Sequence, residues 1–244
     1  HSVMRKSMHA CDDVIAIGTE MRLHLENAYG LPDVHQIPNL FPESINVVDA
    51  REVKAARGWQ DKLVVQYSGN FGVAHEYETL LGVVRLLKEE QGILFQITGA
   101  GKNHTLLKAA CEAENLSNIV FEGYAPLDQM ERHLGTADLS IVIFSEAFRD
   151  VLLPSKYYGI LASGRGVLLI SGCQSDIRRD IEARGVGIAF DHGKSEEIAS
   201  ALRMLSKDPE KVSRMGCSAR ALYDEKYTKE TLLGAYQAVL EKGQ

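Results

Sequence analysis

A doubly wound α/β domain around a six-stranded parallel sheet is the fold class this 244-residue sequence predicts. Three observations carry it. From residue 62 onward, six short runs rich in β-branched and aliphatic residues alternate with segments of helical periodicity. The runs are nearly continuous in apolar character, as strands covered on both faces are. Most of them end in a glycine-rich or small polar loop, and right-handed crossovers would lay the intervening helices over the two faces.

Taken in order, the N-terminal segment stands apart. "DDVIAIGTEMRLHLENAYGLPDVHQIPN" reads as a strand, a helix and a second short strand, and "LFPESINVVDAREVKAARGW" as a linker with an approach helix. Pro38 and Pro42 bracket the change, so a boundary is expected near residues 40–45. The chain then divides into residues 1–45, a small α/β unit, and residues 46–244. The six expected strands are "KLVVQYSG", "ILFQITGAG", "NIVFEGY", "LSIVIF", "VLLIS" and "GVGIAF". Helices are expected over 76–90, 102–114, 127–136, 155–162, 175–183 and 195–206. In the first of them Leu80, Val83, Val84 and Leu87 share one face. Two more, over 209–225 and 229–241, have no strand after them and should pack across an edge or reach another domain.

Composition excludes several classes. A formal net charge of -6 argues against nucleic acid, whose binding draws its affinity from clustered Lys and Arg. The cysteines, Cys11, Cys111, Cys173 and Cys217, lack the close spacing of a zinc or redox motif and read as free thiols of a reducing compartment. No apolar run approaches the roughly 18–20 residues that span a bilayer, and "HSVMRKSMHACDD" lacks a signal peptide's apolar core. The His at position 1 suggests that a longer chain has been cut.

Ligands of open parallel sheets bind beyond the carboxyl ends of the strands, so the loops there carry the chemistry. Four are candidates: "SGNFGVAH" (68–75), "TGAGKNH" (98–104), "EGYAPLD" (122–128) and "LPSK" (153–156). Gly69, Gly72, Gly99 and Gly101 would let backbone N–H groups approach an anion, with the following helix start adding partial positive charge. "TGAGKNH" fails the P-loop pattern, with Gln96 and Asn103 where Gly and Ser or Thr are needed, and also fails the dinucleotide fingerprint. Its Lys102 begins a helix. In "LPSK", Pro154 and Ser155 form a helix start at which Ser155 would cap and Lys156 would face the cleft, a combination suited to a phosphate or diphosphate. Asp12 and Asp13 read as a solvated turn. The histidines at 24, 35, 104, 133 and 192 have no metal-ligand spacing, so no metal site is expected. Nothing proposes a covalent nucleophile.

The series "YSGNFG", "ITGAGKNHTLLKAA", "NIVFEGYAPLDQMERHLGTADLSIVIF" and "PSKYYGILASGRGVLLIS" resembles the nucleotide-sugar-binding half of GT-B-fold glycosyltransferases. It is most similar to the large retaining group called family four, in its branch of bacterial polysaccharide assembly. The resemblance covers residues 62–240, and the segment before it is similar to the last strand and helix of the family's acceptor domain, which implies that residues 1–45 are the remnant of a second α/β domain. It implies a Rossmann-like domain in which Gly69, Asn70, Gly72 and His75 lie against a donor diphosphate that Ser155 and Lys156 also meet. Gly99, Gly101 and Lys102 would line the nucleotide cleft, Gly123, Tyr124 and Ala125 would touch the base, and Gly159 falls at a ribose-contacting position. The partners implied are a nucleotide sugar, with uridine the expected base, and a glycan or lipid-linked acceptor, without cofactor or catalytic metal. A cytoplasmic location follows, with peripheral membrane association of a full-length protein.

Departures from the family pattern are specific. Val151 and Gly159 stand where many members have two glutamates, although Glu146 lies in the same loop. His75 stands where many carry a lysine and would serve as an imidazolium toward phosphate, and Gly166 stands where many have proline. A sugar-nucleotide epimerase and a non-catalytic binding domain remain as alternatives. With most of the acceptor domain missing, the chain alone is expected to bind donor without transferring sugar. The face of Leu232, Leu233, Tyr236 and Val239 is expected to lack cover.

Overall fold

The computed structural model describes residues 2–41, 45–148, 150–172 and 174–242. His1, Pro42 and Cys173 of the sequence analysis lie outside these residues. The chain opens with helix α1 (Ser2–His9), strand β1 (Val14–Ala16), α2 (Thr19–Tyr29), β2 (Val34–Gln36) and α3 (Ala50–Ala55). There follow β3 (Leu63–Asn70), α4 (Glu78–Leu86), β4 (Ile93–Ala100), α5 (Lys102–Ala113), β5 (Ile119–Glu122), α6 (Met130–Gly135), β6 (Leu139–Ile143), α7 (Lys156–Ala162), β7 (Gly166–Ile170), α8 (Asp176–Arg184) and β8 (Gly187–Phe190). Three helices close it: α9 (Ser195–Leu205), α10 (Pro209–Lys226) and α11 (Lys229–Lys242).

All six expected strands form one parallel sheet in the order β5-β4-β3-β6-β7-β8. Successive side chains of a strand point to opposite faces, and the two cores divide accordingly. Leu139, Ile141 and Ile143 of β6 and Leu168 and Ile170 of β7 join the core that includes Leu80, Val84, Leu107 and Leu202 of α4, α5 and α9. Val142, Val167 and Leu169 join the core of Tyr157, Leu161, Ile181 and Leu222 from α7, α8 and α10. Each such buried aliphatic side chain contributes roughly 1.5–3 kcal/mol of transfer free energy. The strand order reverses between β3 and β6, which makes their carboxyl ends the topological switch point of the sheet.

The N-terminal segment forms its own parallel pair, β1 with β2, around Leu25, Tyr29, Leu31 and Val34. It is fastened to the larger sheet through α8: Asp176 accepts from the Thr19 amide at 2.8 Å and its hydroxyl at 2.7 Å, and Arg179 meets Glu20 at 2.8 Å. Helix α10 packs on α7 and β7. Helix α11 lies on the N-terminal unit, where Leu232 and Val239 are buried with Ile37, and Tyr236 packs on them. This corrects the expected bare face, since the N-terminal unit covers it and only Leu233 of the four stays half exposed. No helix among the described residues is long and apolar enough to cross a membrane.

Candidate functional site

At the carboxyl end of β3 the chain turns at Gly69, whose φ of 128° lies outside the range open to most side chains. Lys156 packs against it, with Nζ 3.4 Å from where a Cβ would stand. The lysine enters from the start of α7. Its Nζ is shut off from solvent, has no hydrogen-bond partner among the described residues, and sits 3.7 Å above the ring centroid of Tyr67. Burial alone holds the amine down to about 7. Tyr67 is itself fixed, stacked on Phe71 with centroids 4.4 Å apart and donating its hydroxyl to the Asn70 carbonyl at 2.9 Å.

The glycine loops pack on one another. A Cβ on Gly99 would stand 2.2 Å from the Gly69 carbonyl oxygen and 3.2 Å from the Tyr124 ring. One on Gly101 would stand 2.5 Å from the Phe71 carbonyl oxygen and 2.7 Å from Asn70 Oδ1. Asn70 Nδ2 lies near Gly72 in the same way. The structure thus gathers Gly69, Asn70, Gly72, Gly99, Gly101, Tyr124 and Lys156 into one patch around the tips of β3 and β4. Lys102 begins α5 and is exposed, Gly123 stands in open space, and Ala125 is half buried. Tyr124 is 62% exposed, a high value for an aromatic side chain in such a position.

Several expectations are corrected. The start of α4 is already capped, Glu76 Oε1 accepting from the Thr79 amide at 2.6 Å, and the first amides of α5 point at protein, those of Asn103 and His104 donating to Phe71. These bonds occupy first-turn amides of both helices that were expected to face an anion. Ser155 is exposed and makes no capping bond. Gly159 is buried in α7, and a Cβ there would lie 2.6 Å from the Phe41 ring, so its small size serves packing rather than a nucleotide contact. His75 donates from Nδ1 to the Ile143 carbonyl at 2.5 Å, which ties the β3–α4 loop to β6 across the switch point. Ser145 donates to the Ala74 carbonyl beside it at 2.9 Å. Burial, with Lys156 adding to it, outweighs that bond and holds His75 below the ordinary imidazole range. That shift runs against the imidazolium expected.

Sequence reasoning missed the polar row beneath this patch. Gln66 of β3, fully buried, donates to Gln96 Oε1 at 2.9 Å and to Thr136 at 3.0 Å, and Gln96 donates to Glu122 at 2.8 Å. One pleat higher, His133 Nε2 lies 3.1 Å from Ser68 Oγ, and Thr98 Oγ1 is buried without a partner among the described residues. The available signal was polar residues at alternate positions of otherwise apolar strands. Tyr67 carried no sequence signal for its place under the lysine. Among the described residues no group of three or more His, Cys, Asp or Glu side chains is placed to hold a metal ion.

No family model matches the chain. Among curated proteins it is 25% identical over 207 residues to WcaI of Escherichia coli (strain K12), named for glycosyl transfer in colanic acid biosynthesis, covering 82% of this chain and 50% of that one. It is 24% identical over 181 residues to WbjE of Pseudomonas aeruginosa, named for glycosyl transfer, covering 74% and 44%. The chain thus spans about half the length of the curated relatives it matches. Among solved structures, sucrose-phosphate synthase of Thermosynechococcus elongatus superposes with a TM-score of 0.81 at 14% identity, covering 100% of this chain and 62% of that one. TarM of S. aureus, crystallised with UDP and alpha-GlcNAc-glycerol, gives 0.76 at 17%, covering 97% and 45%. Anabaena HepE, solved with UDP and glucose, gives 0.77 at 14%, covering 99% and 65%. The chain therefore carries the fold of the Rossmann-like half of GT-B glycosyltransferases, and its sequence is akin to glycosyltransferases of bacterial polysaccharide assembly, as the resemblance implied.

Proposed function

We propose that this chain is the donor-binding half of a glycosyltransferase, taking a nucleoside-diphosphate sugar, with uridine as its base, at the switch point between β3 and β6. The observation that carries the proposal is the buried, unpartnered amine of Lys156. Burying a cation without a partner is costly. A diphosphate seated at the tip of β3 would relieve that cost with a charge-assisted contact, while the bare backbone of Gly69 and Gly72 and the amide of Asn70 offer close approach. The exposed Tyr124 ring beside Gly99 gives the base an aromatic neighbour. The UDP complexes of TarM and HepE support uridine. In transfer, a cation fixed in advance at the leaving diphosphate stabilises the charge that develops as the glycosidic bond breaks.

Titration of UDP and of uridine into the protein without divalent metal tests this reading. Lys156→Ala is expected to weaken UDP by roughly 1–3 kcal/mol, the worth of one charge-assisted contact, and to leave uridine unchanged. Equal weakening of both would remove Lys156 from the diphosphate site. Holding an acceptor beside the donor is worth on the order of 7–11 kcal/mol, and we assign that task to a second domain of the size the relatives' length allows. The 244 residues alone should bind UDP-sugar and give no acceptor-dependent transfer. A second reading, a binding domain without catalysis, is favoured by Val151, 58% exposed, and by Gly159 under Phe41, where the resemblance would place glutamates. Donor binding without turnover by the longer natural protein would support that second reading.

A further inference from the structure

We infer that the nucleoside diphosphate enters this site together with a proton, which the Lys156 amine takes from solvent as the phosphates seat. The inference rests on the proposed diphosphate site and concerns how binding there is regulated. Its ground is the composition of the amine's surroundings. Beneath it lies the Tyr67 ring of β3, whose own hydroxyl is committed to Asn70 and is held far above its ordinary range by burial and then by Tyr124. From the β3–α4 loop comes His75, turned edge-on to Tyr67 at 6.1 Å, bonded to Ile143 and held low. Tyr124 reaches toward the patch from the loop after β5 and is otherwise exposed. On α7 itself, Tyr157 turns away to Asp180 at 2.9 Å. No carboxylate among the described residues pairs with Nζ, and no charged group offsets the cost of its burial.

A buried amine in that setting favours –NH₂ over –NH₃⁺. The ring face of Tyr67 offers a cation only a modest return. When a diphosphate oxygen arrives, the balance reverses: the amine gains an N–H bond and a positive charge, and the proton comes from the buffer. No other bond changes. By linkage, affinity is greatest while the amine is already charged, below about pH 7. It then falls by about tenfold per pH unit as the unliganded amine deprotonates ahead of the bound one. A site using the His75 imidazolium would instead lose its affinity as pH rises through a range below the ordinary imidazole value of about 6.5, since burial holds that ring low.

Calorimetry with UDP-glucose, whose diphosphate does not titrate in this range, tests the inference. At about pH 8.5 the binding enthalpy should differ between two phosphate-free buffers of high and low ionisation enthalpy by the uptake of close to one proton, and in two such buffers at about pH 6 the difference should vanish. Lys156→Arg, permanently charged, should abolish both the uptake and the loss of affinity with pH. Because arginine fills more space, a second measurement uses the unaltered protein: the Lys156 side-chain NMR signal should titrate near neutrality alone and far higher with UDP-glucose. Binding that is equally strong at both pH values, with one enthalpy in both buffers, would overturn the inference and leave the diphosphate site standing. Absence of UDP-glucose binding at every pH would overturn both.

Discussion

Among the described residues, Lys54 and Lys156 bury their amines at opposite ends of the sheet, and only one of the two is answered. Lys54 of α3, at the amino end of the strands, gives its ammonium to Asp138 Oδ2 at 2.8 Å, Asp138 Oδ1 at 3.0 Å and the Lys62 carbonyl at 2.9 Å. Asp138 in turn accepts from the Val64 amide at 2.7 Å, so the pair locks the entry to β3 against β6. Lys156, at the carboxyl end of the same strands, has an aromatic face and no acceptor among the described residues. The first arrangement is closed, every polar atom serving the fold. The second withholds a partner where α/β sheets receive ligands, and it is there that the protein gives up stability for binding.

The comparison breaks most visibly if Lys54 is removed. Lys54→Ala leaves the partly buried Asp138 carboxylate with the Val64 amide as its remaining partner among the described residues, and denaturant unfolding should show a loss of about 3 kcal/mol, with UDP affinity of the folded protein unchanged. Gly99→Ala comes next. Its φ of 120° and the 2.2 Å approach to the Gly69 carbonyl force β3 and β4 apart at their tips, costing roughly 1–3 kcal/mol and weakening UDP binding by calorimetry. Lys156→Met should leave stability unchanged or raise it by about 1 kcal/mol, since an unpaired buried amine is replaced by an apolar chain, while UDP affinity drops.

The smallest effect lies beside the site. His192 faces acceptors with both ring nitrogens, Glu76 Oε2 at 3.1 Å and the Phe144 carbonyl at 3.0 Å, and its pairing with Glu76 raises it above the ordinary imidazole range. A raised native value means that the contribution is full below the unfolded value of about 6.5 and is lost as pH rises through the native one. His192→Phe should therefore cost about 1 kcal/mol in mildly acid buffer and progressively less in alkaline buffer. A cost that grows with pH would show that the pair is not ionic.

The alternation of apolar runs with helical periodicity made the sheet legible, because both signals are local, and "LPSK" announced its lysine by position in that rhythm. What was illegible depends on distant contacts. Gly101 reads in sequence as a place for an anion to approach the backbone, yet the Phe71 carbonyl 2.5 Å from where a Cβ would stand already requires a glycine there. Gly159 is small because Phe41 arrives from 118 residues earlier in the chain. The face of Leu232 and Val239 appeared bare because its cover, Ile37, comes from the other end of the sequence. His75 looked cationic until the carbonyl of Ile143 and its own burial were visible.

The unanswered lysine, on this proposal, is there for a diphosphate. A crystal structure of this chain soaked with UDP in the presence of a chelator tests it most directly. A diphosphate oxygen is expected within hydrogen-bonding distance of Lys156 Nζ, over the Tyr67 ring and against Gly69, with no metal between them. UDP bound at full occupancy with its phosphates away from Lys156, and the amine still buried on Tyr67, would contradict it.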